Sequence, residues 1–245
     1  MRLDLYVSQK LNISRNKAQF VIENQKVLVN WNIVTKSWFE ILDEKHNVEI
    51  LENDESKYVA RSALKLKWLL DEEKIDINWK VCFDVWSSTG WFCQILLENN
   101  AKKIYALDVW TSQLHEKLRN NSKIISIENT DIRKFDKNIL SENIDIITCD
   151  VSFISLEVVI DSILNLANSS TKLILLFKPQ YEVWKENLTK FWLPKSQKII
   201  DEKLDNFSLL LFKKSVKIRK IIKSKLTWES WNIEYFVLLE NYESI

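Results

Sequence analysis

One glycine and eleven tryptophans in 245 residues is the feature that most restricts what this chain can fold into. At ordinary usage roughly 17 glycines would be expected. Glycine is what a backbone uses at positive φ, in tight turns and wherever a ligand must approach the main chain. A compact α/β domain is hard to build with one. The tryptophans are Trp31, Trp38, Trp68, Trp79, Trp86, Trp91, Trp110, Trp184, Trp192, Trp228 and Trp231, and most avoid core-like positions. Trp31 lies in Val29-Asn30-Trp31-Asn32 between two short apolar runs, where Asn-Gly would make a hairpin turn. Trp79 precedes an apolar run, Trp86 and Trp91 flank Ser87-Ser88-Thr89-Gly90, Trp110 follows Leu107-Asp108-Val109, and Trp231 sits between Ser230 and Asn232. Read as glycine, each becomes ordinary turn or loop chemistry. The pattern is that expected of UGA codons read as glycine in the source and written here as tryptophan. The competing reading is a chain that is tryptophan-rich and glycine-poor by nature.

The remaining composition is that of a soluble globular protein, with 46% hydrophobic and 28% charged residues and a net charge of +1. That balance says nothing about a polyanionic partner. No apolar run reaches the length of a membrane span, and the charged N-terminus has no signal-like apolar core. Cys82, Cys93 and Cys149 match no metal or disulfide framework, so a reducing, cytoplasmic setting is expected. His46 and His115 show no metal-ligand spacing, and no metal is expected.

Residues 1–57 read as a small α+β unit plus a polar linker. A helix is expected over residues 3–11 and another over 15–24 with Ser14 as N-cap, followed by short strands at 27–29, 33–34 and 48–50. Within residues 1–36 Arg2, Lys10, Arg15, Lys17, Lys26 and Lys36 face only Asp4 and Glu23, a basic patch hidden by the overall neutrality. From residue 58 to 245 strands alternate with helices. Helices are expected at 62–73, 90–99, 112–120, 155–167 and 197–213, and strands at 80–85, 103–108, 123–128, 144–149 and 172–177. That alternation predicts an α/β, Rossmann-like, mostly parallel sheet with helices on both faces. Runs at 216–222 and 233–239 are expected to add an antiparallel edge pair.

Val81-Cys82-Phe83-Asp84-Val85 runs into Trp86-Ser87-Ser88-Thr89-Gly90-Trp91. With glycine at 86 and 91 this is a strand, a glycine-rich turn and a helix, the arrangement that brings backbone close to a nucleotide-like ligand. Asp108, ending the next strand, is placed to bond ribose hydroxyls. A tight strand–helix turn with Asp108 as a helix cap would look the same locally.

Longer strings make the reading specific. Arg2-Leu3-Asp4, Ser14-Arg15-x-x-Ala18-Gln19 and Val27-x-Val29-Asn30 resemble the small RNA-binding domain of ribosomal protein S-four. Tyr58 to Leu66, Asp150-Val151-Ser152-Phe153-Ile154-Ser155-Leu156, Phe177-Lys178-Pro179-Gln180-Tyr181-Glu182 and Asn232-Ile233-Glu234-Tyr235 resemble the TlyA family, rRNA 2'-O-methyltransferases also labelled hemolysin A, with a catalytic domain similar to FtsJ. The resemblance spans nearly the whole chain, and the family has glycine at positions matching Trp31, Trp68, Trp86, Trp91, Trp110 and Trp231. It implies an S-adenosyl-L-methionine-dependent enzyme acting on rRNA or ribosomal subunits, on cytidine, in the cytoplasm and away from membranes. Matched motif by motif, the catalytic set falls on Lys65, Asp150, Lys178 and Glu234. Lys178, with a pKa lowered by crowding, would handle the hydroxyl proton. Asp150 and Glu234 would orient the amines, and Lys65 would position the ribose. Cofactor binding is implied for Asp84, Trp86, Ser88, Thr89, Gly90, Asp108 and Asp131, and RNA binding for Arg2, Ser14, Arg15, Lys17, Gln19 and Lys26. The alternatives are a non-catalytic RNA-binding or ribosome-assembly protein and a membrane-active hemolysin.

Overall fold

The computed structural model describes residues 1–24, 26–30, 32–42, 46–50, 58–60, 62–224 and 232–240. Trp31, Trp228, Trp231 and the polar stretch 51–57 lie outside them. The chain forms two compact units, Met1–Arg61 and Ser62–Ile245.

In the first unit α1 (Leu3–Leu11) and α2 (Arg15–Glu23) pack beside strands β1 (Val27–Val29), β2 (Asn32–Ile33) and β3 (Val48–Ile50), in the order β2-β1-β3 and antiparallel throughout. The turn between the helices is set by two local devices. Asn12 takes a left-handed φ of 52° at the end of α1, and the Ser14 hydroxyl accepts from the Lys17 N–H to cap α2. Leu3, Val7, Ala18, Val21, Ile22 and Val27 are buried together.

The second unit is a seven-stranded sheet. Its strands are β4 (Val81–Val85), β5 (Lys103–Leu107), β6 (Ile124–Ile127), β7 (Ile146–Cys149), β8 (Lys172–Phe177), β9 (Ile218–Lys223) and β10 (Tyr235–Leu239), in the order β6-β5-β4-β7-β8-β10-β9. The first five are parallel, and β10 lies antiparallel between β8 and β9. The helices are α3 (Ala63–Glu73), α4 (Trp91–Glu98), α5 (Glu116–Arg119), α6 (Leu156–Leu166), α7 (Pro179–Glu182) and α8 (Gln197–Lys213). β4, β8 and β10 are buried almost along their length, as expected of strands covered on both faces.

The last two strands form the expected antiparallel pair at one end of the sheet, with β9 outermost. One expectation needs correction. The helix expected over 112–120 contracts to Glu116–Arg119 because Ser112 takes a φ of 56° and its N–H is bound by the Glu128 carboxylate, which holds the preceding segment against the end of β6.

The tryptophans sit badly for tryptophan. Trp79, Trp86 and Trp192 have φ of 59°, 70° and 59°, where a bulky side chain is a genuine outlier and its Cβ costs about 1–2 kcal/mol. Trp38, Trp79, Trp110, Trp184 and Trp192 are exposed, Trp184 at 72%, although tryptophan is on average highly buried. Gly90 occupies φ 89°, and a Cβ there would come within 2.5 Å of Leu118 and 2.6 Å of Leu114.

Candidate active site

Chain order reverses at β4, which has β5 on one side and β7 on the other. In open α/β sheets ligands bind beyond the carboxyl ends of the strands at such a switch point. The loop after β4 and Asp150, immediately after β7, both lie there, and the Asp150 N–H reaches the Val85 carbonyl at 3.3 Å.

Four charged residues meet in the interior. Lys178 Nζ lies 2.6 Å from Asp150 Oδ1, and Lys65 Nζ lies 2.5 Å from Glu234 Oε2. All four residues are buried. The register explains how a separation of 56 positions is bridged: Tyr235 pairs with Phe177 across β10 and β8, so Glu234 and Lys178 leave those strands side by side. Lys178 also donates to the Ser152 hydroxyl at 2.7 Å. Two cations against two carboxylates leave the cluster neutral, the condition under which buried charges are tolerated.

Electrostatics overturns one expectation. Burial alone would lower the Lys178 pKa, but the adjacent Asp150 and Glu234 carboxylates outweigh it and hold the ammonium above its ordinary range. Crowding by a second lysine does not govern it, because Lys65 is neutralised by Glu234. Burial pushes the Glu234 carboxyl up, against the pull of Lys65 and Lys178.

Asp150, Lys178 and Glu234 open onto a cavity of about 490 Å³, lined also by Trp91, Ser152, Gln180, Tyr181 and Asn232. Lys65 is absent from its wall. It stands behind Glu234, so it positions that carboxylate and is not placed to hold a ribose. Phe153 lies at the cavity, 85% exposed at a left-handed φ of 64°, with its ring 5.2 Å from that of Tyr181. Ser152, Phe153, Gln180, Tyr181 and Asn232 were missed as site residues, although each lies inside one of the strings that carried the family resemblance.

The expected cofactor residues divide. Asp108 is buried, with its oxygens accepting from the Ser88 N–H at 2.6 Å and the Trp110 N–H at 2.9 Å, so it ties the two loops at the switch point together. Trp86, Ser88 and Gly90 all have left-handed φ, and the Thr89 hydroxyl is buried without a partner. Trp86 packs on the core, whereas Trp91 faces the cavity and its indole N–H donates to Asp150 at 3.0 Å. Asp84 is not brought to the loop's ligand side: it is fully buried, and its oxygens accept from the Thr148 hydroxyl at 2.7 Å and the Cys93 thiol at 3.1 Å. Asp131 is taken up by Arg133, whose guanidinium holds its carboxyl below the usual range.

In the first unit Arg2, Arg15 and Gln19 converge on the buried Asp4 at 3.0 Å each. Their polar heads are therefore partly spent internally, though the arginine side chains remain 43% and 45% exposed. The Lys17 ammonium donates to the Tyr58 carbonyl at 2.8 Å, Ser14 serves as the cap described above, and Lys26 is half-buried.

A parallel sheet carrying an inserted antiparallel strand, with a lysine–carboxylate cluster at its switch point, defines the class of Rossmann-like methyltransferases. Comparison with known proteins agrees. The FtsJ-like methyltransferase family matches residues 58–241, and the S4 domain matches residues 1–41. The chain is 44% identical over 252 residues to a 23S rRNA (cytidine-2'-O)-methyltransferase TlyA of Campylobacter jejuni, covering 96% of this chain and 98% of that one. It is 38% identical to Hemolysin A of Brachyspira hyodysenteriae over 78% of this chain and 79% of that one. A hemolysin-named structure from Streptococcus thermophilus has the same fold, with a TM-score of 0.75 at 24% identity over 100% of this chain and 89% of that one. The chain belongs to the TlyA family of FtsJ-like methyltransferases.

Proposed function

We propose that this chain transfers a methyl group from S-adenosyl-L-methionine to a ribose 2'-hydroxyl of a cytidine in ribosomal RNA. The observation that carries this is the neutral Lys65–Glu234 and Lys178–Asp150 cluster opening onto a cavity beside the switch-point loop. Bound at that loop, the cofactor supplies a methyl carbon on a sulfonium centre. The residues present suit it: the unpartnered Thr89 hydroxyl, the left-handed Ser88 and Gly90, and the Asp108 tie are there, and Trp91 narrows the space.

The chain's own residues then do three things. The Lys178 ammonium donates a hydrogen bond to the incoming hydroxyl oxygen and fixes its direction. Asp150 and Ser152 hold that ammonium in place, which supplies alignment, a large share of any displacement rate. Lys65 keeps Glu234 oriented toward Lys178's side of the cavity. A charged lysine cannot take a proton, so general-base action by Lys178 requires that it first release its own. The exposed Phe153 ring beside Tyr181 offers a face on which an unstacked base can rest. We further assign residues 1–57 to RNA docking through Arg2, Arg15, Lys17 and Lys26, aided by Ser14 and Gln19, and residues 58–245 to catalysis. Among the described residues no helix is long and apolar enough to cross a membrane.

The left-handed and exposed tryptophans support glycine at those positions in the functional protein. Sequencing the gene tests this directly, with UGA expected at all eleven codons. For the activity, unmethylated 23S rRNA is incubated with tritiated cofactor and the product mapped by resistance of one linkage to alkaline hydrolysis. Label on a base, or none with either the tryptophan or the glycine form of the chain, would overturn the assignment.

A further inference from the structure

Two side chains in the cavity wall are left without work by the chemistry above. Gln180 and Asn232 are each 6% exposed, and their carbonyl oxygens Oε1 and Oδ1 are buried with no hydrogen-bond partner. Gln180 sits in α7, two residues after Lys178. Asn232 sits two residues before Glu234, so the two amides reach the same cavity from the ends of the paired strands β8 and β10. A buried carbonyl without a donor is costly, and such groups in folded proteins call for an explanation. The cavity supplies one. Its other polar wall groups include the carboxylates of Asp150 and Glu234, the Lys178 ammonium held by Asp150, the Trp91 indole N–H spent on Asp150, and the hydroxyls of Ser62, Ser152 and Tyr181, yet no donor reaches either amide oxygen. What completes it is a group that brings N–H or O–H bonds.

Resting on the reading of the site as a ribose methyltransferase, we propose that Gln180 and Asn232 form the acceptor-nucleotide subsite, their amide oxygens taking hydrogen bonds from donor groups of the target nucleotide. Two such donors enter with a cytidine: the ribose hydroxyls and the exocyclic amine of the base. Uridine has the ribose hydroxyls but a carbonyl in place of that amine. Sites built to pair a polar group reject analogues lacking it far more strongly than apolar pockets do. Gln180 and Asn232 are thus positioning and specificity residues, acting on substrate and not on the proton in flight.

The test uses the full chain and two 23S rRNA substrates, one with cytidine and one with uridine at the methylated position. Gln180→Met and Asn232→Leu keep side-chain bulk and remove the acceptor. Each is expected to lower kcat/KM for the cytidine substrate about 10- to 100-fold. Cofactor affinity by calorimetry should stay unchanged, with rescue by Gln180→Glu, which restores an oxygen. If the loss erases the preference for cytidine over uridine, the donor is the exocyclic amine; if both substrates lose equally, it is a ribose hydroxyl. Both outcomes support the subsite. Unchanged kcat/KM in both variants overturns it, as does a loss that follows weakened cofactor binding. The Gln180→Glu rescue is the guard against misfolding, since a variant that fails to fold would not regain activity by regaining one oxygen. Absence of transfer by the unsubstituted chain would be a separate failure, that of the functional reading itself.

Discussion

Each unit of this protein buries an ionic cluster, and the two differ in what they leave open. In the first unit Asp4 is surrounded by Arg2, Arg15 and Gln19, so one carboxylate is saturated by three donors. In the second, two lysines meet two carboxylates, and three of the four groups face a cavity that also carries unpartnered amide oxygens. Buried charge is common to both and therefore does not mark function. What separates them is incomplete satisfaction. A saturated network holds helices together, whereas one that opens onto space beside unpartnered amide oxygens is suited to a ligand. Perturbed groups mark sites only in combination with such space.

The comparison breaks first at Lys178. If the second cluster is chemical, Lys178→Ala should cut methyl transfer by about 10²- to 10⁴-fold and leave cofactor affinity nearly unchanged. Near-native turnover in a tritiated-methyl assay would place the two clusters in the same structural category. Asp150→Asn sharpens the point. Removing that carboxylate takes away the main charge holding the lysine's pKa up. The variant should be slower overall, with the rising limb of its pH–rate profile moved to lower pH. A limb that stays put would mean that the titrating group is not Lys178.

The Asp4 cluster should respond in stability alone. Burial raises the Asp4 carboxyl, but hydrogen bonds from Gln19, Arg15 and Arg2 outweigh it and hold the pKa below the ordinary range. The stability it contributes is present above the unfolded carboxyl's pKa near 4 and is lost as pH falls through the lower folded value. Asp4→Asn should therefore destabilise the first unit at neutral pH, by about 1–3 kcal/mol for the hydrogen bonds it weakens. This would be read as faster hydrogen exchange in α1 and α2, while the cofactor affinity of the second unit is unmoved. Unchanged exchange would show that the arginines are free to serve another partner.

Much of this was legible in the sequence because it is local. Ser14 capping α2 and the Trp91 helix after a glycine-like turn depend on neighbours a few residues away. The four charged residues were found through family strings, but their division of labour was not, because it depends on register. Only the β10–β8 pairing shows that Glu234 meets Lys178, and only depth shows that Lys65 stands behind it. The resemblance places Asp84 in the cofactor set; alternation sends its side chain inward instead, to Thr148 and Cys93. The tryptophan anomaly was visible as composition, and the backbone gives it a physical form in the left-handed Trp79, Trp86 and Trp192.

Trp91 tests what the open cluster is open to. Its indole lines the cavity and bonds Asp150, so it occupies an acceptor that the lysine and ligand would otherwise share. A chain with glycine at 86, 91 and 110 should bind S-adenosylmethionine roughly tenfold more tightly, about 1.4 kcal/mol. Relief of the left-handed Trp86 should also raise the stability of the second unit. Equal calorimetric affinity for the two forms would mean that the indole stands clear of the cofactor.

The smallest effect is a slope, and it belongs to another buried carboxylate, one whose bonded partners are both uncharged. Asp84 is held by a hydroxyl and a thiol, with Asp150 and Asp108 as its charged neighbours. Burial is the main cause, and it pushes the Asp84 carboxyl up to about 7. A carboxyl raised on folding stabilises fully below its unfolded pKa near 4, and that contribution falls away as pH rises through 7. Between those limits the slope is at most about 1.4 kcal/mol per pH unit. Asp84→Asn preserves the oxygen that Thr148 bonds and cannot ionise. Denaturant titrations at pH 4, 5.5 and 7 should therefore show the variant gaining on the parent steadily as pH rises. A constant difference across the series would mean that Asp84 ionises as an exposed carboxyl does. Burial without a bonded cation would then have to be compensated from elsewhere in the sheet, and the contrast between Asp84 and the ion-paired carboxylates would lose its electrostatic basis.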